Sequence, residues 1–380
     1  MLHIARRPTS LDRDSRELPA RARALCVCAG LAAVLAAVSI APARALAQRP
    51  RVPAVFAGTA LWVREVAPGQ TGASLVAEAA GAGVHTLYVK AGDGSTAEPQ
   101  FSPALLGEMR AAGDTVCAWT FMYGTDPAAE AMVAASAARA GAQCLVIDAE
   151  GTDTGLNLYG AAQAFVHDLR SLLGGGFPIG LASQAEVAQH PTFPYSVFLG
   201  PGAFNVVLPL IYWRDFGQSV AAAYAATMGA NAIYGRPILP VGQLYGSPSP
   251  TELVSFRALA GAYRSTGLSF FDLDVALPEE LAALAAPAPA QGAQPILEPA
   301  LRPGADGDEI VRAQELLNAA GARLPVGGYY GARTARALAS FQARHHLRPN
   351  GLLGPATWRA LLRLTPREPS WVKAPPQSAG

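Results

Sequence analysis

The chain has 380 residues and a formal net charge of +1, with 51% hydrophobic and 15% charged residues. This length favours two domains, the apolar content excludes wholesale disorder, and a total of 4 Cys excludes a disulfide-stapled miniprotein. The small net charge and the lack of a long basic run argue against a nucleic-acid-binding protein.

The first 47 residues have the organisation of a secretory signal peptide. Arginines between Arg6 and Arg23 precede an apolar run from Ala24 to Ile40, and Ala45-Leu46-Ala47 follows as an A-x-A cleavage site. The apolar run is short for a membrane-spanning helix, although an uncleaved anchor is the alternative. We therefore predict a secreted or periplasmic protein that has no membrane partner after signal cleavage.

Residues 54–284 alternate between short apolar runs and Ala-rich helical patterns. The alternation predicts parallel strands, and the continuous apolar runs predict burial on both faces. Eight such units predict a (β/α)8 TIM-like barrel of the α/β class, with a doubly wound open sheet as the alternative. The predicted strands are Thr59–Val63, Thr86–Lys90, Thr115–Phe121, Cys144–Ile147, Ile179–Ala182, Asn205–Tyr212, Ile238–Val241 and Leu268–Leu273. The predicted helices are Ala73–Ala82, Pro103–Ala112, Ala128–Ala140, Leu158–Leu173, Gly217–Met228 and Pro250–Arg264.

Acids, amides and aromatic residues follow the predicted strands, where a barrel carries its functional side chains. Aromatic faces and carboxylates suit a carbohydrate, because rings pack on sugar faces and acids hydrogen-bond hydroxyls. A turn role for Asp93, a helix cap for Asp272 or Asp274 and plain packing for the aromatic residues are the alternatives. The candidate substrate-binding residues are Lys90, Asp93, Tyr123, Gln184, Tyr212, Trp213, Gln243, Tyr245, Asp272 and Asp274.

The motif Asp148-Ala149-Glu150 follows the fourth predicted strand. Residues two apart on a strand point the same way, so both carboxylates would face the barrel mouth with backbones ~6.6 Å apart. Repulsion raises one pKa and yields the proton donor and ionised partner that glycoside cleavage needs. We assign Glu150 as the acid and Asp148 as the group that stabilises charge or activates water. The alternative is a structural role, such as capping a helix or pairing with Arg214.

The sequence predicts no metal and no cofactor. His85, His167 and His190 are isolated, and no phosphate-binding glycine loop follows the first strand. Cys117 and Cys144 fall on adjacent predicted strands. Two buried free thiols are the favoured interpretation, and a disulfide is the alternative.

Three short motifs of the predicted barrel are similar to those of one enzyme family. Tyr88-Val89-Lys90-Ala91-x-x-Gly94 resembles the lysine-containing strand of family 25 glycoside hydrolases, the muramidases. Asp148-x-Glu150 resembles the acidic pair of that family, and Asp272 resembles its last-strand Asp. The resemblance implies cleavage of the peptidoglycan glycan.

A second, all-α domain is predicted after a linker. Residues 285–303 are rich in Ala, Pro and Gln and predict an extended linker, and residues 366–380 predict a disordered tail. Helical spacings predict three helices within residues 304–365. Residues 306–364 resemble the peptidoglycan-binding domain 1 family at Val311, Gln314, Leu317, Gly328, Tyr330-Gly331, Thr334, Ala337, Phe341-Gln342, Leu347, Asn350-Gly351, Gly354, Thr357 and Leu361.

The second resemblance implies attachment to the bacterial cell wall. Exposed loop groups are the candidate wall-binding residues: Tyr329, Tyr330, Arg333 and Asn350. Residues 48–300 carry 11 basic and 20 acidic side chains, whereas residues 301–365 carry 9 basic and 4 acidic ones, which fits an anionic wall. Together these features predict a monomeric cell-wall glycoside hydrolase. The alternative is a non-catalytic peptidoglycan-binding protein whose barrel is a scaffold.

Overall fold

The computed structural model describes residues 51–150 and 158–371. The predicted signal peptide at residues 1–47 and residues 372–380 of the predicted tail lie outside this range. Within it, no helix combines the length and the apolar character needed to cross a bilayer.

Parallel strands form a closed barrel, as the sequence predicts. In the described residues the barrel strands follow one another around the ring, and the first strand, β1 (Gly58–Val63), pairs with both β2 (Thr86–Asp93) and β9 (Gly267–Phe271) to close it. A short strand, β3 (Thr96–Ala97), adds to β2 in antiparallel orientation. The closure excludes the open-sheet alternative. The barrel strands are β1 (Gly58–Val63), β2 (Thr86–Asp93), β4 (Thr115–Phe121), β5 (Leu145–Asp148), β6 (Ile179–Gln184), β7 (Val206–Leu210), β8 (Val241–Gln243) and β9 (Gly267–Phe271).

Helices surround the barrel, and five of them begin at an N-cap residue whose side chain bonds to the first turn. The side chains of Thr71, Ser102, Asp126, Ser219 and Ser249 each accept a hydrogen bond from a backbone N–H of the first turn. The Ser219 cap explains why the helix predicted to begin at Gly217 begins at Val220. The helices are α1 (Gly72–Gly81), α2 (Pro103–Ala111), α3 (Pro127–Ala140), α4 (Leu158–Leu173), α5 (Tyr195–Phe198), α6 (Val220–Ala232), α7 (Pro250–Ala262) and α8 (Pro278–Ala285).

Alternation along the strands divides their side chains between the barrel interior and the helices. The interior is filled with large side chains, and its buried indoles are hydrogen-bonded: Trp62 Nε1 donates to Ser269 Oγ at 2.9 Å and Trp119 Nε1 to the Val63 carbonyl at 3.1 Å. The lumen is therefore a packed core, and a ligand can enter only at a mouth. The buried interior residues are Phe56, Ala60, Trp62, Tyr88, Cys117, Trp119, Cys144, Val146, Ala182, Val206, Leu208, Leu210, Leu239 and Val241.

Cys117 and Cys144 form a disulfide inside the barrel. Their Cα atoms are 4.6 Å apart, within the range that a disulfide requires. The next residues along, Ala118 and Leu145, are register partners of adjacent strands, which brings the two cysteines side by side. The interpretation as free thiols is therefore wrong.

The C-terminal domain contains three helices, α9 (Asp308–Ala319), α10 (Ala332–Arg344) and α11 (Pro355–Leu361), within the described residues. Residues 286–300 lead to it without regular secondary structure. Trp358 Nε1 donates to the Pro299 carbonyl at 2.9 Å, which fixes the end of this segment to the domain. The buried core includes Ile310, Leu316, Leu317, Leu338, Phe341, Trp358 and Leu361.

Part of the predicted disordered tail contacts the folded chain. The centre of the Trp371 ring lies 4.5 Å from the centre of the Tyr159 ring of α4, and Gln163 Nε2 donates to the Pro369 carbonyl at 3.1 Å. Arg367 N donates to the Glu315 carbonyl of α9 at 3.3 Å. Residues 367–371 therefore run between the barrel and the C-terminal domain.

Candidate functional site

Asp148 and Glu150 face the barrel mouth. Val146 belongs to the interior cluster, whereas Ile147 and Ala149 pack towards the helices, so alternation turns both acids inward. The backbone is held on both sides, because Met122 N donates to the Asp148 carbonyl at 2.8 Å and Ala149 N to the Ala182 carbonyl at 3.0 Å. Asp148 is buried, and Glu150 is partly exposed.

The surroundings of the two acids favour a retained proton. Burial raises the pKa of Asp148 well above its usual value, the negative charge of Glu150 raises it further, and Lys90 opposes this. Burial also raises the pKa of Glu150, whose Oε2 accepts a hydrogen bond from Gln184 Nε2. Asp148 Oδ1 has no hydrogen-bond partner in the described part of the chain. Such a pair can hold a proton at a pH where an exposed carboxyl group has lost it.

Arg214 does not neutralise the pair. Its Nη1 lies 3.1 Å from Glu252 Oε2, at the start of α7. The pairing with Arg214 that the sequence left open is therefore absent, and Asp148 and Glu150 remain together at the mouth.

Lys90 and Asp93 form an ion pair beside the acids. Lys90 Nζ lies 2.7 Å from Asp93 Oδ2 and 5.4 Å from the centre of the Trp119 ring. Burial opposes the ionisation of Asp93, but hydrogen bonds from Lys90 and Tyr123 lower its pKa overall. Asp93 thus carries a negative charge at a pH where Asp148 and Glu150 retain a proton.

The acids after β9 contact the end of β1. Arg64 Nε lies 3.1 Å from Asp272 Oδ2, and Asp274 accepts hydrogen bonds from the backbone N–H groups of Arg64 and Glu65 at 3.2 and 2.6 Å. Burial and then the charge of Asp272 raise the pKa of Asp274 to about 6. Neither acid caps α8, whose preceding residue Leu277 donates its N–H to Glu280 at 2.8 Å. The described residues contain no cluster of three His, Cys, Asp or Glu side chains that could hold a metal ion.

Two tyrosines on neighbouring loops form one side of the mouth. Tyr212 and Tyr245 are partly exposed, with ring centres 5.2 Å apart. Tyr245 OH donates to Asp215 Oδ2 at 2.6 Å, which fixes the phenol. Tyr123, on the other side of the acidic pair, is 40% exposed. Phe216, which sequence reasoning missed, is 52% exposed on the loop after β7.

Besides Asp272, two further predicted substrate-binding residues, Trp213 and Gln243, are buried. Trp213 donates its Nε1 hydrogen to Glu252 Oε1 at 2.9 Å and packs against Phe256. Gln243 accepts from Arg214 N at 3.0 Å and donates to the Tyr245 carbonyl at 3.2 Å. Both residues therefore hold the loops of the mouth in place and do not present a surface to a ligand.

A groove of about 580 Å³ crosses the C-terminal domain. Asn350, exposed at this groove, accepts hydrogen bonds from Gln342 Nε2 at 3.2 Å and Leu352 N at 2.9 Å. The exposed side chains of Arg302 and Arg348 give the groove a positive charge.

The other predicted wall-binding residues differ in exposure. Tyr329 is 62% exposed, and Arg333 is exposed on the first turn of α10. Tyr330 is buried, and its hydroxyl donates to the Gly351 carbonyl. Its assignment as an exposed binding residue is wrong, because the domain uses this ring as core.

Comparison with known proteins identifies the C-terminal domain. Residues 306–361 match the peptidoglycan binding domain family PG_binding_1. No curated protein matches the chain. A peptidoglycan-binding protein from Clostridioides difficile is 37% identical over 18% of this chain, with a TM-score of 0.18. The matching part spans 43% of that protein.

The barrel is similar in shape to two bacterial enzymes. The spore cortex-lytic enzyme SleL of Bacillus cereus is 10% identical over 60% of this chain and 73% of its own, with a TM-score of 0.45. A chitinase from Chromobacterium violaceum is 11% identical over 60% of this chain and 98% of its own, with a TM-score of 0.44. At this distance the similarities assign no activity to the barrel.

Proposed function

We propose that this protein, with its peptidoglycan-binding domain at residues 306–361, is a cell-wall glycoside hydrolase. The observation that carries the proposal is the pair of inward-facing carboxyl groups, Asp148 and Glu150, whose pKa values are both raised at the mouth of a packed barrel. Most glycoside hydrolases use two carboxyl groups, of which one keeps its proton until the bond breaks. In the described part of the chain neither acid forms an ion pair within 4.0 Å, although the charge of Lys90 acts on Asp148, so this arrangement keeps the two carboxyl groups available for proton transfer.

Glu150 is the general acid, because it is the more exposed member of the pair. It delivers its proton to the leaving glycosidic oxygen, while Asp148 stabilises the developing charge or activates water. If the pair holds one proton, its transfer from Glu150 to the leaving oxygen makes both carboxylates negative, and both then face the positive charge that develops on the sugar ring. The arrangement therefore interacts more strongly with the transition state than with the substrate.

Side chains around the pair can bind the sugars on either side of the cleaved bond. Tyr123, Tyr212 and Tyr245 offer partly exposed ring surfaces, and Asp93 offers an ionised acceptor for hydroxyl groups. The resemblance of the Lys90 strand to family 25 supports a muramidase, which cuts the peptidoglycan glycan. The remaining members of the proposed substrate-binding set are Lys90, Gln184, Asp272 and Asp274.

The C-terminal domain would hold the enzyme on the wall. Tyr329, Arg333 and Asn350 are exposed, and a positive groove lies beside Asn350. Attachment raises the local concentration of the glycan at the barrel without adding to the chemistry. We further propose that the protein is secreted and monomeric. The disulfide between Cys117 and Cys144 supports secretion, because such bonds persist in oxidising compartments.

Digestion of purified peptidoglycan tests the proposal. The chain without residues 1–47 is incubated with the wall polymer, and the products are identified by mass spectrometry beside those of Glu150→Gln. New reducing sugar ends from the native chain alone are the expected result. Equal release of reducing ends by both chains would mean that Glu150 is not the general acid, and Asp93 or Asp272 would be tested next. A native chain that pellets with the wall but releases nothing would be a binding protein with a scaffold barrel.

A further inference from the structure

The peptidoglycan-binding domain inserts a carboxylate into the side of the barrel. Asp308, the first residue of α9, is fully buried. Its Oδ1 accepts hydrogen bonds from Tyr159 OH at 2.8 Å and Ser196 Oγ at 2.6 Å, and its Oδ2 from Ser196 N at 2.9 Å and Tyr234 OH at 2.7 Å. All these donors belong to the barrel. A carboxylate with both oxygens satisfied in this way forms a specific contact rather than a loose surface encounter.

The neighbouring residues of the domain reinforce this contact. Gly307 has a φ of +118°, and a side chain there would run into Pro191, so glycine permits the close approach. Asp308 N donates to the Pro191 carbonyl at 2.8 Å. One turn further along α9, Arg312 donates to the carbonyls of Ile233 and Tyr234 at 3.2 and 2.9 Å.

The segment that Asp308 holds leads directly to Glu150. Ser196 and Tyr195 are adjacent residues of α5, and the Tyr195 ring stacks on Tyr234 with ring centres 5.6 Å apart. Tyr195 OH donates to the carbonyl of Gln184, the last residue of β6, at 3.2 Å. Gln184 Nε2 in turn donates to Glu150 Oε2. Tyr195 thus connects the segment that Asp308 holds with the residue that hydrogen-bonds to Glu150.

We propose that Asp308 and Tyr195 are positioning residues for Glu150, so that docking of the wall-binding domain sets the orientation of the catalytic acid. The inference rests on the proposed function for its kinetic consequence, but the coupling between the two sites exists whether or not the barrel cleaves. In this arrangement the domain does more than attach the enzyme to the wall. A simple tether changes only the local concentration of an insoluble substrate, whereas a positioning domain also affects the hydrolysis of a short soluble glycan.

The test compares variants of the full mature chain on soluble glycan strands prepared from peptidoglycan. Tyr195→Phe removes the hydroxyl that holds Gln184 and leaves the Asp308 contacts in place. Asp308→Ala removes both acceptor oxygens. Asp308→Asn keeps the shape of the side chain and restores one acceptor oxygen, while its NH2 group can donate to the hydroxyls of Tyr159 and Ser196 but cannot replace the second acceptor. Asp306→Ala is the matched control, because Asp306 is an exposed acid of the same domain. Wall pelleting and circular dichroism confirm that each chain is folded.

For Tyr195→Phe we expect kcat to fall roughly tenfold with KM unchanged, the effect of losing one hydrogen bond of typical strength. In Asp308→Ala kcat should fall at least as far. In Asp308→Asn it should be intermediate between that value and the native value, and in Asp306→Ala it should equal that of the native chain. The alkaline limb of the pH profile should also move in the two impaired variants, which a general loss of folded protein would not cause.

A second readout does not depend on activity. The titration of Glu150 is followed by carbon-13 NMR of its carboxyl group, assigned by the signal missing in Glu150→Gln. Because a donated hydrogen bond favours the ionised form, the midpoint should move upward in Tyr195→Phe and in Asp308→Ala. An unchanged midpoint in both variants would overturn the coupling. An inactive native chain would refute the proposed function, while the titration would still decide whether Asp308 and Glu150 are linked.

Discussion

Arg64 and Asp272 join the two ends of the barrel across the seam where it closes. The guanidinium Nε of Arg64, just after β1, lies 3.1 Å from Oδ2 of Asp272, just after β9. Asp272 is buried, and its Oδ1 has no hydrogen-bond partner in the residues described. Arg64 is therefore the cation that makes a buried carboxylate tolerable at this point.

Substitution of this arginine should weaken the barrel. For Arg64→Gln we expect the free energy of unfolding at pH 7 to fall by about 1–3 kcal/mol, because Asp272 is left buried without its charged donor. Urea unfolding followed by tryptophan fluorescence measures this. Arg51→Gln, at an exposed arginine before β1, serves as the control. An equal loss in both variants would show that the seam contact contributes nothing of its own.

Asp148 should make the stability of the protein fall as pH rises. Its folded-state pKa is raised by burial, so the folded chain binds the proton more tightly than the unfolded chain, whose aspartates titrate near pH ~4. The contribution is fully present below that pH and is lost as pH rises through the folded-state pKa. Asp148→Asn should therefore flatten this decline and increase the free energy of unfolding at pH 7 while reducing activity. Unfolding curves at a series of pH values from 4 to 8 measure it.

Asp93 should behave in the opposite way. Its pKa is lowered overall by Lys90 and Tyr123 against the effect of burial, so its ionised form stabilises the folded state. That stability is present above the unfolded-state pKa and is lost as pH falls through the lower folded-state value. Asp93→Asn should thus lower the free energy of unfolding by about 1 kcal/mol at pH 7, and by progressively less as the pH falls. A constant loss at every pH would show that the side chain acts through packing and not through its charge.

Removal of the internal disulfide should destabilise the barrel. The bond closes a loop with a sequence separation of 27, for which the chain-entropy model gives a loss of about 3–4 kcal/mol. The double substitution Cys117→Ala and Cys144→Ala provides the measurement, by thermal unfolding against the native oxidised chain. The native chain unfolded under reducing conditions should resemble the double variant. Identical midpoints for all three samples would contradict the expectation.

Substitution by alanine should affect two adjacent tyrosines of the peptidoglycan-binding domain differently, lowering stability at one and wall binding at the other. Tyr330 is buried, so Tyr330→Ala should destabilise the domain by about 3–5 kcal/mol. Tyr329 is exposed, so Tyr329→Ala should leave the thermal midpoint within about 1 °C and weaken pelleting with the wall. Pelleting assays and calorimetry on the two full-length variants separate the effects. Undiminished pelleting by Tyr329→Ala would remove that residue from the binding surface.

The strands and the acidic pair could be predicted because their signals are local. The alternation through Val146, Asp148 and Glu150 fixes which side chains face the mouth, and the same rule applied to Trp62 would have found Arg64. Helix α5 has four residues, too few to show a helical period.

The burial of side chains by segments that are distant in the sequence could not be predicted in this way. Trp213 is buried by Phe256, Tyr330 contacts Gly351, and Asp308 meets Ser196, a residue 112 positions away. Such contacts depend on how distant segments meet, which the spacing of residues along one segment does not report. The pairing of Cys117 with Cys144 lies between these cases, because adjacent strands were predicted but their register was not.

Closure of the barrel has a consequence for the order in which the chain folds. One edge of β1 pairs with β9, so the edge at Gly58 stays unpaired until the chain as far as Gly267 has been synthesised. Contacts this far apart in sequence slow folding and expose an unpaired strand in the meantime. The link between Cys117 and Cys144 needs only a short stretch of chain and can form well before closure. The first strand can therefore pair early with β2 on one side, but its other edge is covered only when the last strand of the barrel is in place.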